Sequence, residues 1–200
     1  DEAGSRRIRL RIPVQEGERV SQNNVRSFEV AVRESREKIL YFEGEPRFEV
    51  KFLRQALSAD ENIQVVVLNR TAEDKFLRLD VDTPEELAGG FPLTREELFQ
   101  YRGLILGSVE ASYFTHDQLS MIADFVSRRG GGLLALGGRW AFSEGGYRGT
   151  PVAEALPVVL PEPVLDPHEA FSSVKVTPTL AGSGHVAAQI RPDGRGQAAI

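Results

Sequence analysis

The sequence predicts an α/β domain with a mainly parallel sheet, preceded by a small antiparallel β segment. Four short apolar runs have the length of buried strands. Amphipathic helical stretches separate these runs, as parallel strands require. Before them, residues 6–34 alternate between polar and apolar positions, which is typical of strands with one solvated face. The chain has 200 residues, 41% of them hydrophobic, which is enough for a sizeable core.

The first segment has the period of two or three antiparallel strands. Residues 7–12 place isoleucine and leucine on one face and arginine on the other, and residues 27–32 alternate in the same way. Glycine and asparagine at 16–18 and 22–24 indicate turns between them.

A β-α-β unit follows this segment. Residues 39–42 and 63–68 are continuous apolar runs, as expected for strands covered on both faces. Between them, Pro46 fits the first turn of a helix. The predicted apolar stripe of this helix consists of Phe48, Phe52, Leu53, Ala56 and Leu57. The unit implies parallel strands joined by a right-handed crossover.

The next stretch contains three capping boxes, each predicting a helix start, at 83–86, 94–97 and 115–118. The third and fourth parallel strands are predicted at 104–107 and 133–136.

The helix that opens at Thr115 ends with Arg128, Arg129 and Gly130, which suit a C-terminus. Its predicted stripe is Leu119, Ile122, Ala123, Phe125 and Val126. Thr150 and Pro151 predict a further short helix, residues 173–177 predict a strand, and residues 180–185 predict a loop.

Composition excludes several functions. A net charge of -5 argues against nucleic acid as a partner. No apolar stretch approaches the roughly 20 residues that span a bilayer. Cysteine is absent, which removes disulfides, thiolate metal sites and a cysteine nucleophile. The three histidines are far apart in sequence, so we expect neither a metal nor a cofactor.

The candidate site lies where the first, third and fourth parallel strands end, because such ends share one edge of the sheet. The predicted crevice is lined by Glu43, Arg47, Glu110, Arg139, Trp140 and Tyr147. It would hold a small polar ligand or a loop of another domain. Alternatively, Arg47 and Arg139 pair with nearby carboxylates (Glu43, Glu110 or Glu144) and only tie the loops together.

No familiar catalytic motif occupies this edge. Ser108 lacks the second glycine of a Gly-x-Ser-x-Gly elbow. The glycines at 130–132 and 137–138 match no phosphate-binding loop. His185 is a solitary loop histidine, so no catalytic residue is assigned.

Residues 38–160 resemble the class I glutamine amidotransferase-like domain of bacterial membrane proteins that also carry a von Willebrand factor A domain. The matching stretches are 39–49, 52–57 and 131–158. The resemblance implies a flavodoxin-like three-layer sandwich for residues 37–200. It also implies that residues 1–36 are the end of a preceding immunoglobulin-like domain.

Amidotransferases of this class use a Cys-His-Glu triad, with the cysteine at an elbow after a central strand. The nearest position here is Gly138, and the chain has no cysteine, so the resemblance carries the fold without that activity. His185 is not assigned the histidine role.

These observations predict a non-catalytic binding or interaction module in a larger bacterial cell-envelope protein. The start at Asp1 without methionine also suggests a piece of a larger protein. We expect it in the extracytoplasmic soluble part of a membrane-anchored protein, without direct membrane insertion. Its partners would be other domains of the same polypeptide or envelope proteins. The alternative is a hydrolase-type enzyme in which Glu43 or Glu110 acts as acid or base on a small polar substrate.

Overall fold

A computed structural model describes residues 4–20, 22–32, 36–162, 177 and 179–184. The chain divides into two units, Asp1–Pro163 and Val164–Ile200. The first unit contains two β-sheets, and the described part of the second contains one short helix.

The first unit is built around a five-stranded, mostly parallel sheet. Its strands are β3 (Glu37–Glu43), β4 (Ile63–Ala72), β5 (Lys75–Leu79), β6 (Gly103–Leu106) and β7 (Gly132–Ala135), numbered after the β1 and β2 of a separate ribbon. Their order is β5-β4-β3-β6-β7, and β5 runs antiparallel to β4. The four predicted parallel strands are therefore confirmed, and the first unit is of the α/β class.

Four helices accompany this sheet: α1 (Phe48–Leu57), α2 (Arg95–Phe99), α3 (His116–Ser127) and α4 (Pro151–Ala155). Complete capping boxes begin α2 and α3, where Thr94 pairs with Glu97 and Thr115 pairs with Gln118. After α3, Gly130 has a φ of 74°, the left-handed conformation that glycine adopts without strain. These local predictions are confirmed because each depends on residues close in sequence.

Apolar cores lie on both faces of the sheet. On one face, strand residues such as Leu40, Phe42 and Val66 pack with the apolar side chains of α2, α3 and α4. On the other face, Tyr41 and its neighbours on β4 and β6 pack against α1. Cover on both faces explains why the strands are continuously apolar instead of alternating.

The predicted stripe of α1 is wrong at its aromatic positions. Phe48 and Phe52 are 81% and 62% exposed, and Ala56 is also exposed. Leu53 and Leu57 of the predicted stripe do face the sheet, together with Val50, which was not in the stripe. Both sets have helical spacing, so periodicity alone did not select the buried one.

Residues 70–100 differ most from prediction. The strand β5 was not predicted, and it forms a hairpin with β4 through a turn at Asp74, whose φ is 57°. The capping box at 83–86 starts no helix. Instead, the Glu86 carboxylate accepts hydrogen bonds from Lys38 Nζ at 2.9 Å and Tyr101 Oη at 2.7 Å.

A separate two-stranded ribbon confirms the predicted antiparallel β segment. It consists of β1 (Gly4–Arg11) and β2 (Val25–Val32), which pair over their whole length with Ile8 opposite Phe28. Every residue of β1 is exposed.

In the second unit, a short helix, α5 (Leu180–Ser183), replaces the predicted loop. Thr179 Oγ1 accepts a hydrogen bond from the Gly182 N–H at 3.0 Å and caps it. The predicted strand at 173–177, apart from Thr177, and His185 lie outside the described residues. Among the described helices, none has both the length and the apolarity needed to cross a bilayer.

Candidate functional site

The carboxyl ends of β3, β4, β6 and β7 form one edge of the sheet, which we call the strand-end surface. It comprises residues 43–47, 69–70, 107–114 and 136–147, at the ends of these strands or in the loops that follow them. Ligands of open α/β sheets bind at this kind of edge. All six predicted site residues lie on these loops or at the end of β3.

Glu43 is the centre of a buried polar cluster. Its side chain is 0% exposed, and Arg47 donates to its Oε2 from Nε at 2.9 Å and from Nη2 at 2.7 Å. Tyr41 Oη donates to the same oxygen at 2.9 Å, and the Ser108 backbone N–H donates to Oε1 at 2.8 Å. Burial, with the adjacent Glu43 carboxylate, raises the pKa of Tyr41. The carboxylate is thus enclosed by donors from three segments of the chain.

This cluster joins the loops after three strands. Arg47 Nη1 donates to the Gly137 carbonyl at 2.7 Å, which connects the loop after β3 to the loop after β7. Between them, Ser108 Oγ accepts a hydrogen bond from the Trp140 N–H at 3.0 Å. The pairing of Arg47 with Glu43, one of the two alternatives from the sequence, is therefore present.

Two glycines allow this close approach. A Cβ on Gly107 would overlap the Glu43 carboxylate. A Cβ on Gly138 would lie 2.7 Å from Ser108 Cβ and 3.0 Å from Arg47 Nη1. The Cβ position of Gly138, in the turn after β7, is thus enclosed by neighbouring side chains.

Glu110 is held by a residue that was not predicted. Arg70, near the end of β4, donates to its two oxygens from Nη1 and Nη2, each at 2.7 Å. The Arg70 guanidinium also lies 5.2 Å from the centre of the Tyr113 ring. The hydrogen bonds from Arg70 lower the pKa of Glu110, although partial burial opposes this effect. Arg70 could have been found from sequence, because it lies two residues beyond the end of the second predicted strand.

The glycine-rich loop after β7 carries three aromatic residues, of which Trp140 is exposed and Tyr147 is buried. Arg139 stacks on the ring of Trp140 at 5.0 Å, and both side chains are exposed. Within the described chain, Arg139 forms no ion pair with a carboxylate. Tyr147 is buried and donates to the Val109 carbonyl at 2.9 Å, and burial raises its pKa. Tyr147 is thus a packing residue of this loop.

A buried polar atom without a partner lies beside the cluster. Asn69 is next to Glu43 in the parallel register and is almost fully buried. Its Oδ1 has no hydrogen-bond donor in the described part of the chain. Such an atom loses its solvation without a compensating interaction.

Two cavities formed by described residues lie at or near the sheet. An apolar cavity of about 20 Å³ lies behind the loop, between Leu106 and Phe142, and it is large enough for about one water molecule. A groove of about 790 Å³ lies at the opposite edge of the sheet. There, Arg54 Nη2 contacts Asp80 at 2.6 Å, and the groove is distant from the carboxyl ends of the parallel strands.

The fold and this edge define a mixed α/β protein with a mostly parallel sheet and arginine-carboxylate pairs at its strand ends. Comparison with known protein families, curated proteins and solved structures finds no match to this chain. Among the described residues, no group of three histidine, aspartate or glutamate side chains is arranged to hold a metal ion.

Proposed function

We propose that this chain is a non-catalytic interaction domain of the glutamine amidotransferase-like class. The observation that carries the proposal is that Glu43 and Glu110 each receive two hydrogen bonds from one arginine. Carboxylates that accept two hydrogen bonds from one arginine hold the loops together. The tight packing around Gly138 leaves no room for a nucleophile at the elbow and supports the same conclusion.

The interaction surface is the exposed part of the strand-end surface, centred on Arg139 and Trp140. Trp140 is 39% exposed and its backbone is held by Ser108, so it projects from a fixed loop. Tryptophan and arginine are enriched among residues that dominate protein-protein binding energy. A stacked pair on a rigid edge loses little conformational entropy when a partner binds.

The partners in this proposal are other domains of the same polypeptide or other envelope proteins. The resemblance to the amidotransferase-like domains of bacterial membrane proteins supports an extracytoplasmic position in a membrane-anchored protein. Residues 1–36 would then be the end of a preceding immunoglobulin-like domain. The flavodoxin-like three-layer sandwich is the corresponding proposal for the fold.

Site-specific photo-crosslinking tests the interaction surface. A photoreactive amino acid replaces Trp140 in one variant and Arg102 in a control variant, and both are expressed in the cells that make the protein. Arg102 is exposed and precedes β6, so it reports on the opposite edge of the same sheet. We expect a discrete adduct from position 140. Equal adducts from both positions, or none from 140, would contradict the proposal.

The enzymatic alternative requires a carboxyl group that exchanges a proton near neutral pH. The hydrogen bonds from Arg70 lower the pKa of Glu110, whereas proton exchange near neutral pH would require that pKa to be raised. An NMR titration of the Glu110 side-chain carboxyl distinguishes the two functions. A pKa below about 4 agrees with a structural carboxylate, and a pKa above about 6 would favour the enzyme.

A further inference from the structure

The turn after β7 presents three consecutive backbone N–H groups that find no acceptor in the described part of the chain. They belong to Gly137, Gly138 and Arg139, all of which are exposed. The N–H groups on either side, those of Leu136 and Trp140, are both hydrogen-bonded. Successive free N–H groups in a turn attract an anion. The turn therefore offers donors to a ligand that supplies a negative charge.

Two hydrogen bonds to the buried polar cluster hold this turn in place. The Gly137 carbonyl accepts from Arg47 Nη1 at 2.7 Å, and the Trp140 N–H donates to Ser108 Oγ at 3.0 Å. Arg47 is itself fixed by its ion pair with Glu43, whose side chain is 0% exposed. The free N–H groups are thus preorganised, so a ligand would order little of the chain when it binds.

Arg139 adds a charged donor beside these N–H groups. Its guanidinium lies 5.0 Å from the centre of the Trp140 ring, and it forms no ion pair with any described residue. A guanidinium presents its N–H groups in a planar fork that matches the two oxygens of a carboxylate. Trp140 is 39% exposed and supplies an apolar surface next to this fork.

We propose that this turn binds the C-terminal carboxylate of a partner protein whose last side chain is apolar. The inference rests on the proposed function, because it names what the surface around Arg139 and Trp140 recognises. The carboxylate would accept hydrogen bonds from the free N–H groups of 137–139 and from the Arg139 guanidinium. The apolar side chain would pack on the Trp140 ring.

A chain terminus fits this turn better than a phosphate does. The carboxylate and the last side chain leave the same Cα, so one residue reaches both the donors and the neighbouring ring. A phosphate would use the donors but not the apolar surface of Trp140. Glu144, in the same loop, is exposed and forms no ion pair within the described chain. Its charge opposes a phosphate, with about two negative charges, more than a singly charged carboxylate.

Heteronuclear NMR on the full chain, isotope-labelled at the glycine nitrogens, tests the inference. The probe is an acetylated peptide that ends in leucine with a free carboxylate, and the control is the same peptide with an amidated end. We expect saturable shifts of the Gly137 and Gly138 amide signals with the free carboxylate alone. The Gly132 signal should stay unchanged, because its N–H bonds to the Arg102 carbonyl at the opposite end of β7.

Three results would overturn the inference. The first is equal shifts from the carboxylate and the amide, and the second is no shift from either peptide. The third is the same shifts from an amidated peptide with an internal glutamate, or from inorganic phosphate, because either would indicate a general anion surface.

Variants separate the fork from the ring. Arg139→Gln should weaken the free-carboxylate peptide about tenfold, and Arg139→Lys should restore binding only in part, because an ammonium group lacks the planar fork. The exposed Arg102, at the opposite edge of the sheet, provides the control Arg102→Gln, which should bind as the wild type does. Trp140→Ala should remove the preference for a leucine-ended over a glycine-ended peptide. Unchanged affinity in Arg139→Gln would overturn the inference.

The inference and the proposed function fail separately. A photo-crosslinked partner at position 140, together with equal shifts from the carboxylate and amide peptides, would overturn the carboxylate inference and leave the interaction surface standing. Carboxylate-specific shifts without any adduct from position 140 would overturn the protein partner and indicate a small carboxylate ligand instead.

Discussion

Replacement of Glu43 by glutamine tests the role of the buried cluster most sharply. The substitution keeps the shape of the side chain but removes its charge. It leaves the Arg47 guanidinium without its anionic partner and places an amide N–H₂ among donors from Tyr41, Arg47 and Ser108. At least one of these donors must then face another donor, which is unfavourable in a buried site.

The expected loss follows from the burial of the pair. Breaking a buried ion pair by removing one partner costs about 3–5 kcal/mol. The Arg47 side chain is 16% exposed, so water can solvate part of it, and we expect the lower end of this range. A loss of about 3 kcal/mol corresponds to a fall in melting temperature of about 6–12 °C for a chain of this size.

Thermal and urea unfolding, followed by circular dichroism and by fluorescence, measure this loss. Trp140 is the single tryptophan and bonds to the cluster through Ser108, so its emission reports on this edge. Glu110→Gln is the matched control, because the side chains of Glu110 and Arg70 are 28% and 19% exposed. We expect it to cost about 1 kcal/mol. If Glu43→Gln cost no more than this control, the cluster would not be a central stabilising element.

Three further substitutions test individual contacts. Gly107→Ala should lower the free energy of unfolding by about 2 kcal/mol, because the methyl group would overlap Glu43. The control Gly132→Ala should change the free energy of unfolding by less than about 1 kcal/mol, because its Cβ would lie in open space. Equal urea midpoints for these two variants would refute the steric argument. Asn69→Leu should leave the free energy of unfolding unchanged or raise it, because Asn69 Oδ1 has no hydrogen-bond donor in the described chain. A loss above about 1 kcal/mol in urea unfolding would indicate that this oxygen does accept a hydrogen bond. Folding lowers the pKa of Glu110 through its hydrogen bonds from Arg70. This ion pair therefore stabilises the folded chain above the ordinary glutamate pKa of about 4.3, and the contribution is lost as pH falls through the pKa of Glu110 in the folded state. The stability difference between wild type and Glu110→Gln, measured by urea unfolding, should therefore shrink below about pH 4, and a constant difference would contradict the ion pair.

The parallel strands could be predicted because their signal is local and strong. Residues 63–68 are apolar at nearly every position, since helices cover both faces of the sheet there. The capping boxes at Thr94 and Thr115 likewise depend on residues three positions apart. Such features can be recognised without knowing which distant residues pack against them.

The orientation of α1 could not be predicted in the same way. The predicted stripe was right at Leu53 and Leu57, but Val50 shares their buried face in place of Phe48 and Phe52, which also have helical spacing. The choice between these two faces is made by the sheet beneath the helix, which the sequence of the helix does not contain.

The sequence predicted which residues lie at the candidate site better than it predicted the contacts that these residues form. The Glu43–Arg47 pair, four residues apart, was one of several pairings that the sequence left open at this edge. The Arg70–Glu110 pair joins residues forty positions apart, and it required the end of β4 to be placed on the same edge. Tyr147 was expected in the crevice, but the loop after β7 folds it against Val109.

A turnover assay tests the proposed absence of catalysis most directly. The purified chain is incubated with glutamine and with small esters and amides, beside the Glu43→Gln and Glu110→Gln variants. We predict neither ammonia release nor hydrolysis above the buffer rate for any of the three proteins. Turnover by the wild-type chain that disappears in the Glu110→Gln variant, with its circular dichroism unchanged, would contradict a non-catalytic strand-end surface.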